Sequence, residues 1–116
     1  MQVTITPNPV AFSGLPITDS AGCAGSANTW FYKQTLNESG GAAVTFTSRV
    51  DRFDQRIVNT LSNLALAVPA MGSLTLSSRW CSSAAVAHTA QSSFSGTDAN
   101  GNAVTIDGPV VNLQSP

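Results

Sequence analysis

Charged residues are scarce in this chain of 116 residues, which has five Lys or Arg, six Asp or Glu and one His. They make up 9% of the sequence, compared with about 25% in an ordinary globular domain. Five Lys or Arg among six Asp or Glu do not make the basic stripe that nucleic-acid binding needs, so we expect no nucleic-acid partner. Catalysis and metal binding need clustered titratable groups, so we also expect no catalytic residue, no metal site and no cofactor.

Long hydrophobic runs are also missing. No run approaches the roughly 20 apolar residues that span a bilayer, so we expect no membrane insertion. Residues 1–10 lack the charged start and the apolar centre of a signal peptide. The length suits one domain, residues 1–116, which we expect to be excised from, or part of, a larger secreted protein.

The two cysteines, Cys23 and Cys81, are the main indication of the compartment. They lie 58 positions apart, outside any C-x-x-C spacing, and the single His leaves no second metal ligand. A disulfide closing such a loop would remove about 4 kcal/mol of unfolded-state entropy. We predict a Cys23–Cys81 disulfide and a secreted or cell-surface location, with two unrelated buried thiols as the alternative.

Short alternating runs between turn residues predict an all-β chain of about seven or eight strands. The predicted strands are 3–6, 29–37, 43–50, 73–81, 88–95, 103–107 and 110–113. In 43–50, the alternation predicts that Val50 points inward and that Arg49 points outward. Between the strands, residues 18–28 are predicted to be a loop of small residues that contains Cys23.

Turn signals predict how some of these strands are connected. Gly40-Gly41 predicts a hairpin between 29–37 and 43–50, and Asn100-Gly101 predicts a second hairpin further along the chain. The segment 54–62 leaves two interpretations open, one short helical turn or an irregular strand.

Three of these segments together resemble bacterial Ig-like and fibronectin-III-like modules of secreted and cell-surface proteins. They are the run TITPNPV at 4–10, the hairpin over 30–50 and the run GTDANGN at 96–102. The resemblance implies an antiparallel β-sandwich that serves as a non-catalytic structural or interaction module. It implies as partners the neighbouring domains of a larger chain, or an extracellular protein or polysaccharide.

Two alternative functions depend on particular side chains. Consecutive aromatic residues in a strand, such as Trp30, Phe31 and Tyr32, cannot all face one core. Exposed aromatic faces stack on sugar rings, so the first alternative is a carbohydrate-binding module that uses Trp30, Tyr32 or Trp80. The second is a small hydrolase acting through His88, for which a strand-end histidine with a backbone hydrogen bond is the favoured interpretation.

Strict alternation along 73–81 places Cys81 on the face opposite Trp80. The disulfide must then either hold the 18–28 loop on the outer side of this strand or follow a bulge in it.

Two groups of charged or amide residues have an ordinary structural interpretation. The spacing Asp98-x-Asn100-x-Asn102 matches the start of a calcium loop, but the sixth and twelfth positions lack Gly and Glu, which favours a hairpin turn. Five of the eleven charged residues lie between Arg49 and Arg56. We predict a solvated loop there, with an ion-pair cluster or a recognition patch as the alternatives.

Overall fold

Antiparallel strands make up most of the described part of the chain, residues 1–23 and 27–116, in a computed structural model. The nine strands of these residues are β1 Gln2–Thr6, β2 Thr29–Asn37, β3 Val44–Phe53, β4 Arg56–Leu61, β5 Leu66–Val68, β6 Ser73–Cys81, β7 His88–Asp98, β8 Ala103–Asp107 and β9 Val111–Leu113. The all-β prediction is confirmed, although residues 24–26 of the predicted 18–28 loop lie outside the described residues. Within the described ranges, no helix is long and apolar enough to cross a membrane.

The strands form two antiparallel sheets, and consecutive strands often lie in different sheets. The smaller sheet has the order β1-β2-β6. The larger has the order β4-β3-β7-β8, with β5 beside β3 and β9 beside β7. The predicted hairpin over 29–50 is therefore wrong, because β2 pairs with β1 and β6 whereas β3 belongs to the other sheet.

Side chains from both sheets meet in one hydrophobic core. The largest fully buried hydrophobic residues are Trp30, Phe46, Phe94, Leu36 and Leu113. Alternation along β2 turns Trp30, Tyr32 and Leu36 inward, which decides the direction that the sequence left open. The buried Trp30 indole donates a hydrogen bond through Nε1 to the carbonyl oxygen of Gln114 at 2.8 Å, so its polar atom is satisfied.

A bulge in β3 reverses which of its side chains face the core. Phe46 pairs with Gly96, but Ser48 pairs with Ser95, so Thr47 is an additional residue on the β3 side. Beyond it, Asp51 is buried, and the guanidinium carbon of Arg49 lies 5.4 Å from the centre of the Phe94 ring. The predictions that Val50 points inward and Arg49 outward are wrong because one extra residue inverts the alternation.

A two-residue turn followed by a strand occupies the segment 54–62. Asp54 and Gln55 have φ angles of 51° and 69°, the combination that joins adjacent strands in a tight hairpin. β4 then pairs with β3 through a register shift, and its apolar residues Ile57 and Val58 are exposed. The irregular strand is confirmed and the short helical turn is wrong, since the helical spacing of these residues forms no buried face.

The carboxylate of Glu38 connects two turns of the fold. It accepts hydrogen bonds from the backbone N–H groups of Gly40, Gly41 and Met71 at 2.7, 3.1 and 2.7 Å. The Met71 N–H is the main cause that lowers the pKa of Glu38, although burial acts in the opposite direction. The β2–β3 connection is thereby attached to the turn that precedes β6.

We expect Glu38→Gln to destabilise the protein at neutral pH, because a neutral amide accepts these hydrogen bonds less strongly. The folded-state pKa of Glu38 lies below its ordinary value of 4.5. Its carboxylate therefore stabilises the fold above that value, and this contribution is lost as the pH falls through the folded-state pKa. Urea unfolding between neutral pH and about pH 3 should show the wild-type advantage shrinking with acid. A difference independent of pH would contradict this role.

Candidate functional site

The predicted disulfide between Cys23 and Cys81 is present, with 5.7 Å between the two Cα atoms. β6 pairs with β2 without a register shift, so Cys81 and Arg79 face outward whereas Trp80 packs against the core. Of the two predicted routes, the one over the outer side of the strand is confirmed. An ion pair of 2.7 Å between Asp19 and Arg79 holds the same connection on the same side, and the hydrogen bond from Arg79 lowers the pKa of Asp19.

An open groove of about 740 Å³ lies on the outer face of the smaller sheet. Pro7 and Asp19 belong to the β1–β2 connection, and the other lining residues belong to the three strands. The side chains on the sheet face come from Thr6, Phe31, Lys33, Ser77 and Arg79. Pairing between strands places Lys33 between Thr6 and Ser77, and Phe31 beside Arg79.

The aromatic residues proposed for sugar stacking do not lie in this groove as free rings. Trp30 and Tyr32 are 0% and 4% exposed, because alternation turns both into the core. Trp80 stacks on Phe53 at 5.0 Å and donates its Nε1 hydrogen to the Tyr32 hydroxyl at 2.9 Å. Burial raises the pKa of Tyr32. The exposed aromatic residue of β2 is Phe31, so the structure moves the stacking candidate to the opposite face.

His88 and Asp54 form a closed pair at the beginning of β7. His88 Nδ1 lies 2.6 Å from Asp54 Oδ2, and Nε2 lies 3.2 Å from the carbonyl oxygen of Ala84, which is the predicted backbone hydrogen bond. The ring also packs edge-on against Trp30 at 5.3 Å. Each ring nitrogen therefore lies within hydrogen-bonding distance of an oxygen atom of the fold.

The Asp54 carboxylate has a structural position as well. Burial acts to raise its pKa, but the hydrogen bonds from His88 and from the Thr89 backbone N–H outweigh this and lower it. Asp54 thus anchors the β3–β4 turn to the start of β7 and is already occupied by its partners. On the other side of the His88 ring, the position next to Nε2 that a nucleophile takes in a catalytic triad holds the carbonyl oxygen of Ala84.

A buried polar network crosses between the two sheets. Asp51 Oδ1 accepts hydrogen bonds from Arg49 Nε at 2.8 Å and from Ser92 Oγ at 2.6 Å. Gln34 Nε2, from the smaller sheet, donates to Ser92 Oγ and to Ser78 Oγ, each at 3.1 Å. The solvated loop predicted for this charged segment is wrong at Arg49 and Asp51, because the bulge in β3 turns both toward the core. The alternative, an ion-pair cluster in this segment, is present at Arg49 and Asp51, but no sequence signal pointed to the polar partners from the other strands.

Asp98 belongs to the predicted hairpin turn between β7 and β8, which is confirmed. Its carboxylate accepts hydrogen bonds from the backbone N–H groups of Asn100 and Asn102, both at 2.9 Å, and the Asn102 N–H is the main cause that lowers its pKa. These oxygens therefore stabilise the turn. In the part of the chain that the structure describes, no group of three or more His, Cys, Asp or Glu is arranged to hold a metal ion.

Comparison with known proteins shows the fold alone. The chain is similar to the X-ray structure of a structural genomics target, SoR45, with a TM-score of 0.70 and 10% sequence identity. The similarity covers 99% of this chain and 86% of that chain. No protein-family model matches the chain, and no curated protein matches it.

The groove, unlike the polar clusters, retains unused binding groups. In the His88–Asp54 pair, the Asp51 network and the Asp98 turn, the side chains form hydrogen bonds with neighbouring parts of the fold. The groove instead presents to solvent the Phe31 ring, the Lys33 side chain and the hydroxyl-bearing residues Thr6 and Ser77. Such a set supports non-covalent binding, in which an apolar surface and a few polar groups orient a ligand.

Proposed function

We propose that this chain is a non-catalytic interaction module of a larger secreted or cell-surface protein. The observation that carries the proposal is the position of the disulfide, which fastens the β1–β2 connection to the outside of the smaller sheet. That connection contributes one side of the open groove. Disulfides persist in oxidising compartments, and a fixed wall keeps a binding groove in one shape.

The order of the strands supports an antiparallel sandwich of the Ig or fibronectin-III type as the form of this module. β2 is followed in sequence by β3 of the other sheet, and β6 is followed by β7 of the other sheet. Repeated crossing between two antiparallel sheets over a shared core is typical of the Greek-key connections in these sandwiches. Such modules bind through surfaces and loops that the sandwich holds in place.

The thiol state tests the location and the role of the disulfide. Protein exported to an oxidising compartment should be two hydrogens lighter than its reduced form and contain no thiol that an alkylating agent modifies. Replacing Cys23 and Cys81 together with serine should lower the free energy of unfolding by about 2 kcal/mol. This value is at the low end of what loss of a disulfide usually costs, because the released β1–β2 connection also gains conformational freedom in the folded state.

Limited proteolysis of the double-serine variant should show cleavage within residues 7–28 before any strand is cut. Alkylation of both cysteines in exported wild-type protein would contradict the proposal.

The catalytic alternative is tested by hydrolysis of ester, glycoside and peptide reporters. Turnover above buffer that is lost in His88→Ala would overturn the non-catalytic assignment in favour of a hydrolase.

A further inference from the structure

An unpaired cation lies near the middle of the groove. Lys33, the only lysine of the chain, lies on the outer face of the central strand β2 between Thr6 and Ser77. Among the described residues no carboxylate pairs with it, whereas the neighbouring Arg79 is held by Asp19 at 2.7 Å. A free ammonium group flanked by two hydroxyl-bearing residues therefore faces the solvent in the groove.

An apolar platform lies beside this cation. Phe31 is two residues before Lys33 on the same face, which separates their Cα atoms by about 6.6 Å. Its side chain is 38% exposed, and it is the one exposed residue among the eight aromatic residues, all of which lie in the described ranges. An aromatic ring beside a cation in an open groove combines the apolar surface and the polar group that orient a ligand.

On the basis of the interaction function proposed above, we propose that this groove binds an acidic polysaccharide composed of uronic acid sugars. The C–H face of one sugar ring packs on Phe31, as apolar surfaces do on aromatic rings. The sugar carboxylate accepts a charge-assisted hydrogen bond from the Lys33 ammonium group. Thr6 and Ser77 supply hydroxyl groups for the hydroxyls of the same sugar or its neighbour.

The position of the groove on the sheet favours a saccharide over an acidic peptide. An extended peptide obtains most of its affinity by pairing with the backbone of an edge strand. Phe31 and Lys33 lie on β2, the central strand of its sheet, whose backbone is occupied by β1 and β6. The free backbone edges of β1 and β6 point along the plane of the sheet, whereas the side chains of Phe31 and Lys33 project from its face. Recognition on this face depends on side chains, and two cations against the single Asp19 make the groove complementary to an anionic chain.

Binding to three polymers of known composition tests the proposal. Affinity electrophoresis and isothermal titration should show binding of polygalacturonate that weakens as salt is added, because exposed charges are screened. Neutral dextran and poly-glutamate should not bind. Lys33→Gln and Phe31→Ala should each weaken polygalacturonate binding by about tenfold. Arg56→Gln and Ile57→Ala, which change an exposed cation and an exposed apolar residue of β4, should stay within about twofold.

Each remaining outcome overturns the proposal in a distinct way. Equal binding of dextran would remove the role of the carboxylate, and equal binding of poly-glutamate would replace the saccharide by an acidic peptide. If Lys33→Gln and Arg56→Gln weaken polygalacturonate binding equally, the polymer is attracted by the overall charge of the protein and not by a specific site in the groove. If no polymer binds, the ligand class is wrong, but the thiol and hydrolysis measurements still decide the proposed function separately.

Discussion

Gly96→Ala is expected to destabilise the folded protein by more than about 4 kcal/mol, among the largest effects of a single substitution. A Cβ at Gly96 would overlap the carbonyl oxygen of Thr45 and lie 2.6 Å from the Cα of Phe46. These are main-chain atoms of β3 at its bulge, so no flexible side chain can move aside to make room. The substitution must separate β7 from β3 or displace the bulge.

Urea unfolding followed by tryptophan fluorescence measures the effect, with Gly22→Ala as the matched control. A Cβ at Gly22 meets no atom within 4 Å, so this variant should remain within about 0.5 kcal/mol of the wild type. Wild-type stability of Gly96→Ala would show that the two strands do not approach so closely at the bulge. Failure of Gly96→Ala to fold, with Gly22→Ala unaffected, would agree with the prediction.

The second large effect is expected at Asp51, where Asp51→Ala should lower the free energy of unfolding by about 4 kcal/mol. Its carboxylate is 5% exposed and accepts hydrogen bonds from Arg49 and Ser92. Removing it leaves a largely buried guanidinium group without its partner, and the charge cannot recover the water that it lost on folding. The loss therefore exceeds the strength of the ion pair itself.

Asp19→Ala is the matched control, because it breaks an ion pair of similar length on the surface. The side chains of Arg79 and Asp19 are 46% and 69% exposed, so solvent screens the pair and its loss should change the stability only slightly. Arg49→Met combined with Asp51→Leu should recover much of the loss, since no buried charge is left unpaired. Equal losses in Asp51→Ala and Asp19→Ala would contradict the burial of the Asp51 network.

Local patterns predicted most strands but not their partners. Alternation in β2, β6 and β8 follows the period of a strand with one buried face, and Asn100-Gly101 matches the turn that it occupies. The hairpin over 29–50 was wrong because alternation shows which side chains share a face but not which strand lies alongside. β2 pairs instead with β6, whose residues lie about 40 positions away in sequence, as in the Thr35–Thr75 contact.

The sequence by itself determined the all-β class, the turn at Asn100-Gly101 and the pairing of its two cysteines, because period-two alternation, turn chemistry and cysteine number are local or compositional properties. Only the tertiary structure decided the bulge at Thr47, which turned Arg49 and Asp51 from the expected outer face into the core. It also decided which residues meet at the groove, where Phe31, Lys33 and Arg79 come from two strands and Asp19 from a connection. The reason is that side chains alternate between the two faces of a strand, so one inserted residue moves every later side chain to the opposite face. The position of such an insertion depends on the neighbouring strand, which the sequence of the strand itself does not identify.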